Sequence, residues 1–227
     1  MFINRIGSEH VFSGMNCQDS GFEIKENDTT YKCVVDGCSE GKHSEVGAKL
    51  FCLSLSKDLN LEETGAFDYI QLLESTVIKS LKNFVTVNDI LNYSLYTILF
   101  CIELHHSFVV FYCGDGFIIT QDKNDKIELQ AIEDGAEGNY PLYFAYNFVP
   151  EAELNGLKHN QVYFRTKIFN KTEYKLVGVA SDGVRFIKGS EIEHIFMENL
   201  KTQNEVGIKR LINKHSGLFK DDITISF

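Results

Sequence analysis

The sequence predicts one α+β domain, a four-layer sandwich in which two antiparallel β-sheets pack face to face between helix pairs. Short aromatic and β-branched segments, separated by Gly, Asn and Asp, fill the middle of the chain and are typical of strands. Segments with helical spacing precede and follow them, so helices and strands are grouped rather than alternating. The 227 residues include only 2 prolines and no Ser/Gly-rich stretch, so no linker divides residues 1–227 into two domains.

The N-terminal third predicts a strand hairpin followed by two helices. Residues 20–36 alternate apolar and polar side chains around a turn-rich segment at 26–30, which favours a hairpin that ends in a buried strand. Apolar residues recur at helical spacing over Ser44–Leu59, where Ser44 could serve as the N-cap. The same spacing predicts a second helix over Phe67–Phe84.

The rest of the chain predicts a strand-rich core that is closed by two helices and a final strand. The predicted strands are Tyr93–Leu104, Phe108–Cys113, Phe117–Gln121, Lys126–Ala131, Leu142–Phe148, Gln161–Ile168 and Tyr174–Ala180. Helices are predicted over Glu191–Glu198 and Val206–Lys214, and the last strand over Ile223–Phe227.

Charge and hydropathy argue against two classes of partner. The chain carries 22 Lys+Arg and 32 Asp+Glu, a net charge of −10, so it would repel a phosphate backbone and we expect no nucleic-acid partner. Its apolar runs are interrupted well before the roughly 20 residues that a membrane span requires, so we expect no membrane partner. The N-terminal residues lack the pattern of a secretory signal, and the expected location is cytoplasmic.

The 6 cysteines are expected to be reduced thiols that lie mostly in the core, because they sit in apolar stretches and form no Cys-x-x-Cys pair. The alternative is a zinc site made by Cys33, Cys38 and His43. Their spacing matches no common structural zinc pattern, which disfavours that alternative.

Acidic residues recur where predicted strands begin or end. Asp-Gly pairs occur at residues 36–37, 115–116, 134–135 and 182–183, and the sequence adds Asp19 and the pair at residues 221–222. Each Asp-Gly pair taken alone is more typical of a tight turn. Several carboxylates gathered at strand ends would repel one another, so their convergence would indicate a site for hard divalent cations such as Mg²⁺ or Mn²⁺.

Five motifs in order resemble those of the metal-dependent PP2C-like (PPM) protein phosphatases, especially the bacterial branch. The motifs are Ile6–Ser20, Val34–Ala48, Cys113–Gly116, Ala180–Val184 and Asp221–Ile225. Each motif is weak by itself, but together they cover the chain from about residue 7 to 227. The resemblance implies a single PP2C-like phosphatase domain with a double β-sandwich flanked by helices.

The resemblance also implies a function and a set of metal ligands. The expected activity is hydrolysis of phosphoserine and phosphothreonine in proteins, by attack of a water that bridges two Mn²⁺ or Mg²⁺ ions, in opposition to a partner Ser/Thr kinase. Five aspartates and one glycine are implicated. Asp36 would bridge both ions, the Gly37 carbonyl would add a ligand, Asp182 and Asp221 would hold one ion, Asp19 would act through metal-bound water, and Asp115 would belong to a variable third-metal position.

Some positions depart from the family pattern. Gly14 stands where many members have a phosphate-binding Arg, which leaves Arg5 or His10 as candidates to bind the phosphate. The alternatives for these two residues are a solvated terminal Arg and a hydrogen-bonded structural His. Cys38 stands where eukaryotic relatives have a His proposed as general acid, so His43 is a candidate for that catalytic proton role.

Two further observations leave other functions open. Phe186 replaces an acidic residue that often follows the Asp182 position, which weakens the case for a third ion. The missing Arg and His leave open a catalytically weak or silent PP2C-like module that binds a phosphoprotein or another partner. A metal-free β-sandwich adaptor would require five motifs to occur in order by coincidence.

Overall fold

Ten strands form the centre of the fold in the computed structural model, which describes residues 1–59, 68–82, 84, 86–132, 141–154 and 161–227. They are β1 (Phe2–Arg5), β2 (Ser20–Glu26), β3 (Thr29–Gly37), β4 (Tyr96–Glu103), β5 (Ser107–Cys113), β6 (Gly116–Asp122), β7 (Ile127–Ile132), β8 (Arg165–Asn170), β9 (Tyr174–Ala180) and β10 (Ile223–Ser226).

The strands form two five-stranded sheets, and within each sheet all neighbouring strands pair antiparallel. Sheet A has the order β1-β10-β9-β6-β7, and sheet B has the order β2-β3-β4-β5-β8. The predicted α+β fold with two antiparallel sheets is confirmed.

Two pairs of helices cover the outer faces of the sheets. The α-helices of the described residues are α1 (Ser8–Ser13), α2 (Ser44–Leu59), α3 (Asp68–Leu81), α4 (Val87–Tyr93), α5 (Glu193–Lys201) and α6 (Glu205–Lys214). Apolar residues of α2 and α3 share a core with sheet B, whereas those of α5 and α6 share a core with sheet A. A third cluster, which includes Val34, Leu99 and Val179, fills the space between the sheets. These clusters define the four layers.

Strand β4 shows why the central sequence reads as an apolar run without alternation. Its residues Ile98, Phe100 and Ile102 face the helices, whereas Leu99 and Cys101 face the other sheet. Both faces of the strand are therefore buried, and polar residues have no solvent-facing position to occupy.

Some predicted elements differ from the structure. Leu142–Phe148 contains a 3-10 helix, Phe144–Phe148, whose Phe144 and Tyr146 side chains belong to the core shared with α2 and α3, so apolar content alone misled the strand prediction. Within Gln161–Ile168, the strand begins only at Arg165. Helix α4 was not predicted, although Thr86 caps it through a capping box with Asp89.

Four of the cysteines, at positions 33, 52, 101 and 113, are buried, as the sequence predicted. Among the described residues, no helix is both long enough and apolar enough to cross a bilayer.

Candidate metal and phosphate site

The candidate site lies at one end of the sandwich, where strands of both sheets end or begin. In sheet B, Asp36 lies at the end of β3, and Asp19 immediately precedes β2. The pairing of Ser20 with Val35 brings these two aspartates to neighbouring positions across the hairpin. Antiparallel pairing thus joins carboxylates that are 17 positions apart in the sequence.

Sheet A contributes three more carboxylates at the same end. Asp115 lies in the turn before β6, Asp182 follows β9, and Asp221 lies shortly before β10. Together with Asp36 they line an open cavity of about 220 Å³. Its remaining lining residues are Gly37, Cys38, Ser39, Glu40, Thr97, Pro141 and Tyr143. The pair Asp134-Gly135 lies outside the described residues.

Burial and mutual repulsion raise the pKa values of the site carboxyls. Burial raises the pKa of Asp36 well above its usual range, and the charges of Asp19, Asp182 and Asp221 raise it further. Burial also raises the pKa of Asp19 to about 7 and that of Asp182 to about 6. The site therefore concentrates more negative charge than its protein surroundings compensate.

Asp19 provides a direct test of whether a cation fits. Its side chain is buried, and neither carboxylate oxygen has a hydrogen-bond partner of acceptable geometry. A buried carboxylate without partners is costly, whereas hard divalent cations bind carboxylate and carbonyl oxygens or their ordered waters. The donor set of this cavity fits Mg²⁺ or Mn²⁺.

A second layer of contacts holds Asp221 and Asp222 in place. The buried Asp222 carboxylate accepts hydrogen bonds from the backbone N–H groups of Gly7 at 2.7 Å and Gln18 at 2.5 Å. The imidazole of His10 is buried between the two aspartates, with Nδ1 2.9 Å from Asp222 Oδ1 and Nε2 3.8 Å from Asp221 Oδ1. Ligand atoms of His10, Asp221 and Asp222 lie within 4.8 Å of one another.

Glycine is required where backbone segments meet at the site. A Cβ at Gly183 would lie 1.9 Å from the Asp222 carbonyl oxygen, and a Cβ at Gly37 would lie 2.8 Å from that of Gln18. The glycines of two Asp-Gly pairs therefore allow close packing of the chain and do more than form turns.

A small polar network fixes the loop that follows Gly37. The Ser44 hydroxyl donates to the Cys38 carbonyl at 2.8 Å and accepts from Gln18 Nε2 at 3.1 Å. The Ser39 hydroxyl donates to Gln18 Oε1 at 2.9 Å. Ser44 is the first residue of α2, and its side chain holds this loop.

Arg185 is a cationic residue at the site that the sequence reasoning missed. Its guanidinium forms an ion pair with the Asp182 carboxylate and lies 3.9 Å from Asp115 Oδ2. Burial raises the pKa values of Asp115 and Asp182, and Arg185 opposes the increase at both residues. The spacing of three residues from Asp182 was visible in the sequence, but the 3-10 turn that places Arg185 over Asp182 was not.

The other predicted residues lie away from the cavity lining. His43 is exposed and packs against the Tyr93 ring, with ring centroids 4.9 Å apart. Arg5 donates to the Asn4 carbonyl at 2.8 Å. His10 lies behind Asp221, as described above.

Among the described residues, Cys33, Cys38 and His43 do not form a cluster of metal-binding groups.

A family model described as "Protein phosphatase 2C" matches residues 6–214. No curated protein matches the chain by sequence.

Several solved structures share the fold over 99% of this chain. One is the serine/threonine phosphatase Stp1 from Staphylococcus aureus, with 14% identity, a TM-score of 0.64 and 92% of that chain covered. Another is the serine/threonine phosphatase PstP/Ppp from Mycobacterium tuberculosis, with 14% identity, a TM-score of 0.61 and 95% of that chain covered. A third is RsbX in complex with magnesium, with 14% identity, a TM-score of 0.58 and 90% of that chain covered.

Proposed function

Because this chain belongs to the protein phosphatase 2C family, we propose that it is a metal-dependent phosphatase that hydrolyses phosphoserine and phosphothreonine in proteins. The observation that carries the proposal is the convergence of Asp36, Asp115, Asp182 and Asp221 on one open cavity, with the unpartnered Asp19 carboxylate behind Asp36. Structural neighbours share the fold, and the family match supports the activity.

In this proposal, Asp36 and the Gly37 carbonyl would hold two Mn²⁺ or Mg²⁺ ions together with Asp182 and Asp221. Asp19 would contribute through ordered water. When bound, the ions activate water for in-line attack on phosphorus and neutralise charge on the phosphoryl oxygens. No covalent enzyme intermediate is involved.

The chain's own residues keep this ligand set in place. Asp222 is fixed by two backbone N–H groups, and the adjoining Asp221 carboxylate accepts a hydrogen bond from the Asp222 N–H at 2.9 Å. His10 is buried beside both aspartates, and in this proposal it is a positioning residue. Arg5 and His43 remain candidates for phosphate binding and proton transfer, but neither lines the cavity.

The proposed substrate class is consistent with the shape of the site. The cavity is open to solvent at one end of the sandwich, which is compatible with access by a phosphorylated segment of a protein. A phosphatase of this kind opposes a Ser/Thr kinase, which we propose as its functional partner. A cytoplasmic location remains a prediction from the sequence.

The test is hydrolysis of phosphoserine and phosphothreonine peptides by metal-free protein, measured as released phosphate. We expect turnover only after Mn²⁺ or Mg²⁺ is added, and complete loss of turnover with excess chelator. Inhibitors that modify thiol or serine nucleophiles should have little effect. Full activity in excess chelator would contradict the proposed mechanism.

The same experiment separates the enzyme from a silent binding module. A module without activity would bind the phosphopeptide in the presence of the metal ion, but it would release no phosphate. Fluorescence anisotropy of a labelled phosphopeptide, recorded beside the phosphate assay, distinguishes these two outcomes.

A further inference from the structure

Arg185 lies beside two carboxylates of the cavity, Asp115 and Asp182. Its Nη2 forms an ion pair with Asp182 Oδ2 and lies 3.9 Å from Asp115 Oδ2. Its Nε donates a hydrogen bond to the Asp182 backbone carbonyl at 3.2 Å. Both Nη2 and Nε of Arg185 therefore contact Asp182, which holds the guanidinium at the edge of the cavity.

The local backbone determines this position. Arg185 lies three residues after Asp182 within the 3-10 helix Asp182–Ile187. Side chains at positions i and i+3 of a 3-10 helix lie above one another, so Arg185 is placed over Asp182. Val184 and Ile187 of the same turn are fully buried in the core of sheet A, which anchors the turn.

The charges around Arg185 show why a cation is needed there. Asp115 and Asp182 are both partly buried, and the charge of Asp115 also contributes to the raised pKa of Asp182. In the described part of the chain, Arg185 is the only Lys or Arg that forms an ion pair with a carboxylate lining the cavity. The next residue, Phe186, packs against the core of sheet A and does not line the cavity, so it offers no oxygen ligand there.

We propose that the Arg185 guanidinium takes the place of a third divalent ion between Asp115 and Asp182. The cavity then binds two ions, and Asp115 anchors Arg185 instead of binding metal. This inference rests on the proposed function for the two ions at Asp36. It replaces the third-metal role that the family resemblance implied for Asp115 with a fixed positive charge that cannot be removed by a chelator.

The experiment is calorimetric titration of Mn²⁺ into metal-free protein without substrate, which measures the number of ions bound independently of activity. We expect wild type to bind two ions and Arg185→Met to bind a third, because two carboxylates lose their cation. Asp115→Asn in the Arg185→Met background should return the number to two. Lys188→Met is the matched control, since it removes an exposed positive charge at the end of the same turn and should leave the number at two.

Three outcomes would overturn the inference. They are a third ion in wild type, no additional ion in Arg185→Met, and loss of an ion when Asp115→Asn is made in wild type. The single Asp115→Asn variant keeps the test valid even if Arg185→Met folds poorly.

Failure of the proposed function would look different. If wild type binds no ion, the two-ion mechanism is wrong. If Arg185→Met nevertheless gains one ion that Asp115→Asn removes, the role of Arg185 as a built-in cation stands. If wild type binds no ion and no variant gains one, both proposals fail.

Discussion

The two ends of sheet A carry acidic turns with opposite electrostatic properties. At the candidate site, burial raises the pKa of Asp182 to about 6. At the far end of the same sheet, Asp125 is 41% exposed and forms an ion pair with Lys175 at 2.6 Å, which lowers its pKa. The residue type and the turn context are similar, so burial and partner charge distinguish a ligand site from an ordinary turn.

Cavity size alone would have selected the other end of sheet A as the candidate functional site. The far end has the larger cavity, about 410 Å³, whose lining includes Lys123 and Lys126 beside Asp122 and Glu173. Of its lining carboxylates, Asp122 accepts hydrogen bonds from two backbone N–H groups and Glu128 pairs with Lys126, whereas those of the 220 Å³ site repel one another. Unbalanced charge is the more informative sign of a cation site.

The largest expected difference between the two ends is in catalysis. Asp36→Asn should lower turnover of an aryl phosphate by about 1,000-fold, because it removes the carboxylate that is proposed to bind both ions. Asp125→Asn at the far end should stay within about two-fold of wild type. Initial rates at saturating Mn²⁺ measure both variants. Turnover of Asp36→Asn close to wild type would mean that the site is misplaced.

The next largest difference is in the free energy of unfolding. It concerns two aspartates whose carboxylates each accept hydrogen bonds from two backbone N–H groups. Asp222 accepts from Gly7 and Gln18 in the interior, whereas Asp122 accepts from Asn124 and Lys126 at the surface. Asp222→Ala leaves buried donors without partners, and we expect it to lower the free energy of unfolding by about 3 kcal/mol.

Asp122→Ala is the matched control, and it should cost less than about 1 kcal/mol because water can replace the lost acceptor. Urea unfolding of the metal-free proteins measures both changes. Equal losses would show that burial of the acceptor is not what matters.

A smaller effect concerns the pH dependence of the metal-free protein. Burial raises the folded-state pKa values of Asp19 and Asp182 to about 7 and about 6, above the ordinary aspartate value of 3.8. A group with a raised folded pKa contributes stability that is fully present below the unfolded pKa and is lost as pH rises through the folded pKa. Unfolding of metal-free protein should therefore become easier as the pH rises from about 4 to about 7, by on the order of a few kcal/mol, and should change little above that range.

Saturating Mn²⁺ should weaken or reverse this trend, because metal ions bind the deprotonated carboxylates. Asp125→Asn should leave the slope unchanged, since the lowered pKa of Asp125 affects stability only in acid. Thermal unfolding across this pH range tests the comparison, and a flat profile for the metal-free wild type would contradict it.

The smallest expected effect is at His43, which was a candidate general acid in the sequence. Its exposed ring packs on Tyr93 outside the cavity, so His43→Ala should change turnover of both aryl and alkyl phosphates by no more than about two-fold. A selective loss with the alkyl phosphate would restore the proton-transfer role, since a poor leaving group needs the acid most.

Much of the fold was predictable because its signals are local. Ser44–Leu59 and Tyr174–Ala180 have the bounds that their periodicity predicted. The 3-10 helix Phe144–Phe148 was mistaken for a strand because its side chains are as apolar as those of a strand and its backbone is set by packing against the helical layer. Helix α4 is short, and none of its residues is buried, so its apolar pattern is weak.

The sequence by itself predicted that Asp36, Asp115, Asp182 and Asp221 lie near one another, because each adjoins a strand end in a conspicuous motif, and all four line one cavity. Only the tertiary structure decided the partners of these residues. Asp222 and Asp221 meet groups of the first 18 residues, more than 200 positions away in the sequence, and Arg185, which follows β9, lies beside Asp115, which precedes β6. Motifs follow from local backbone requirements, whereas charge balance depends on which distant groups share a buried space.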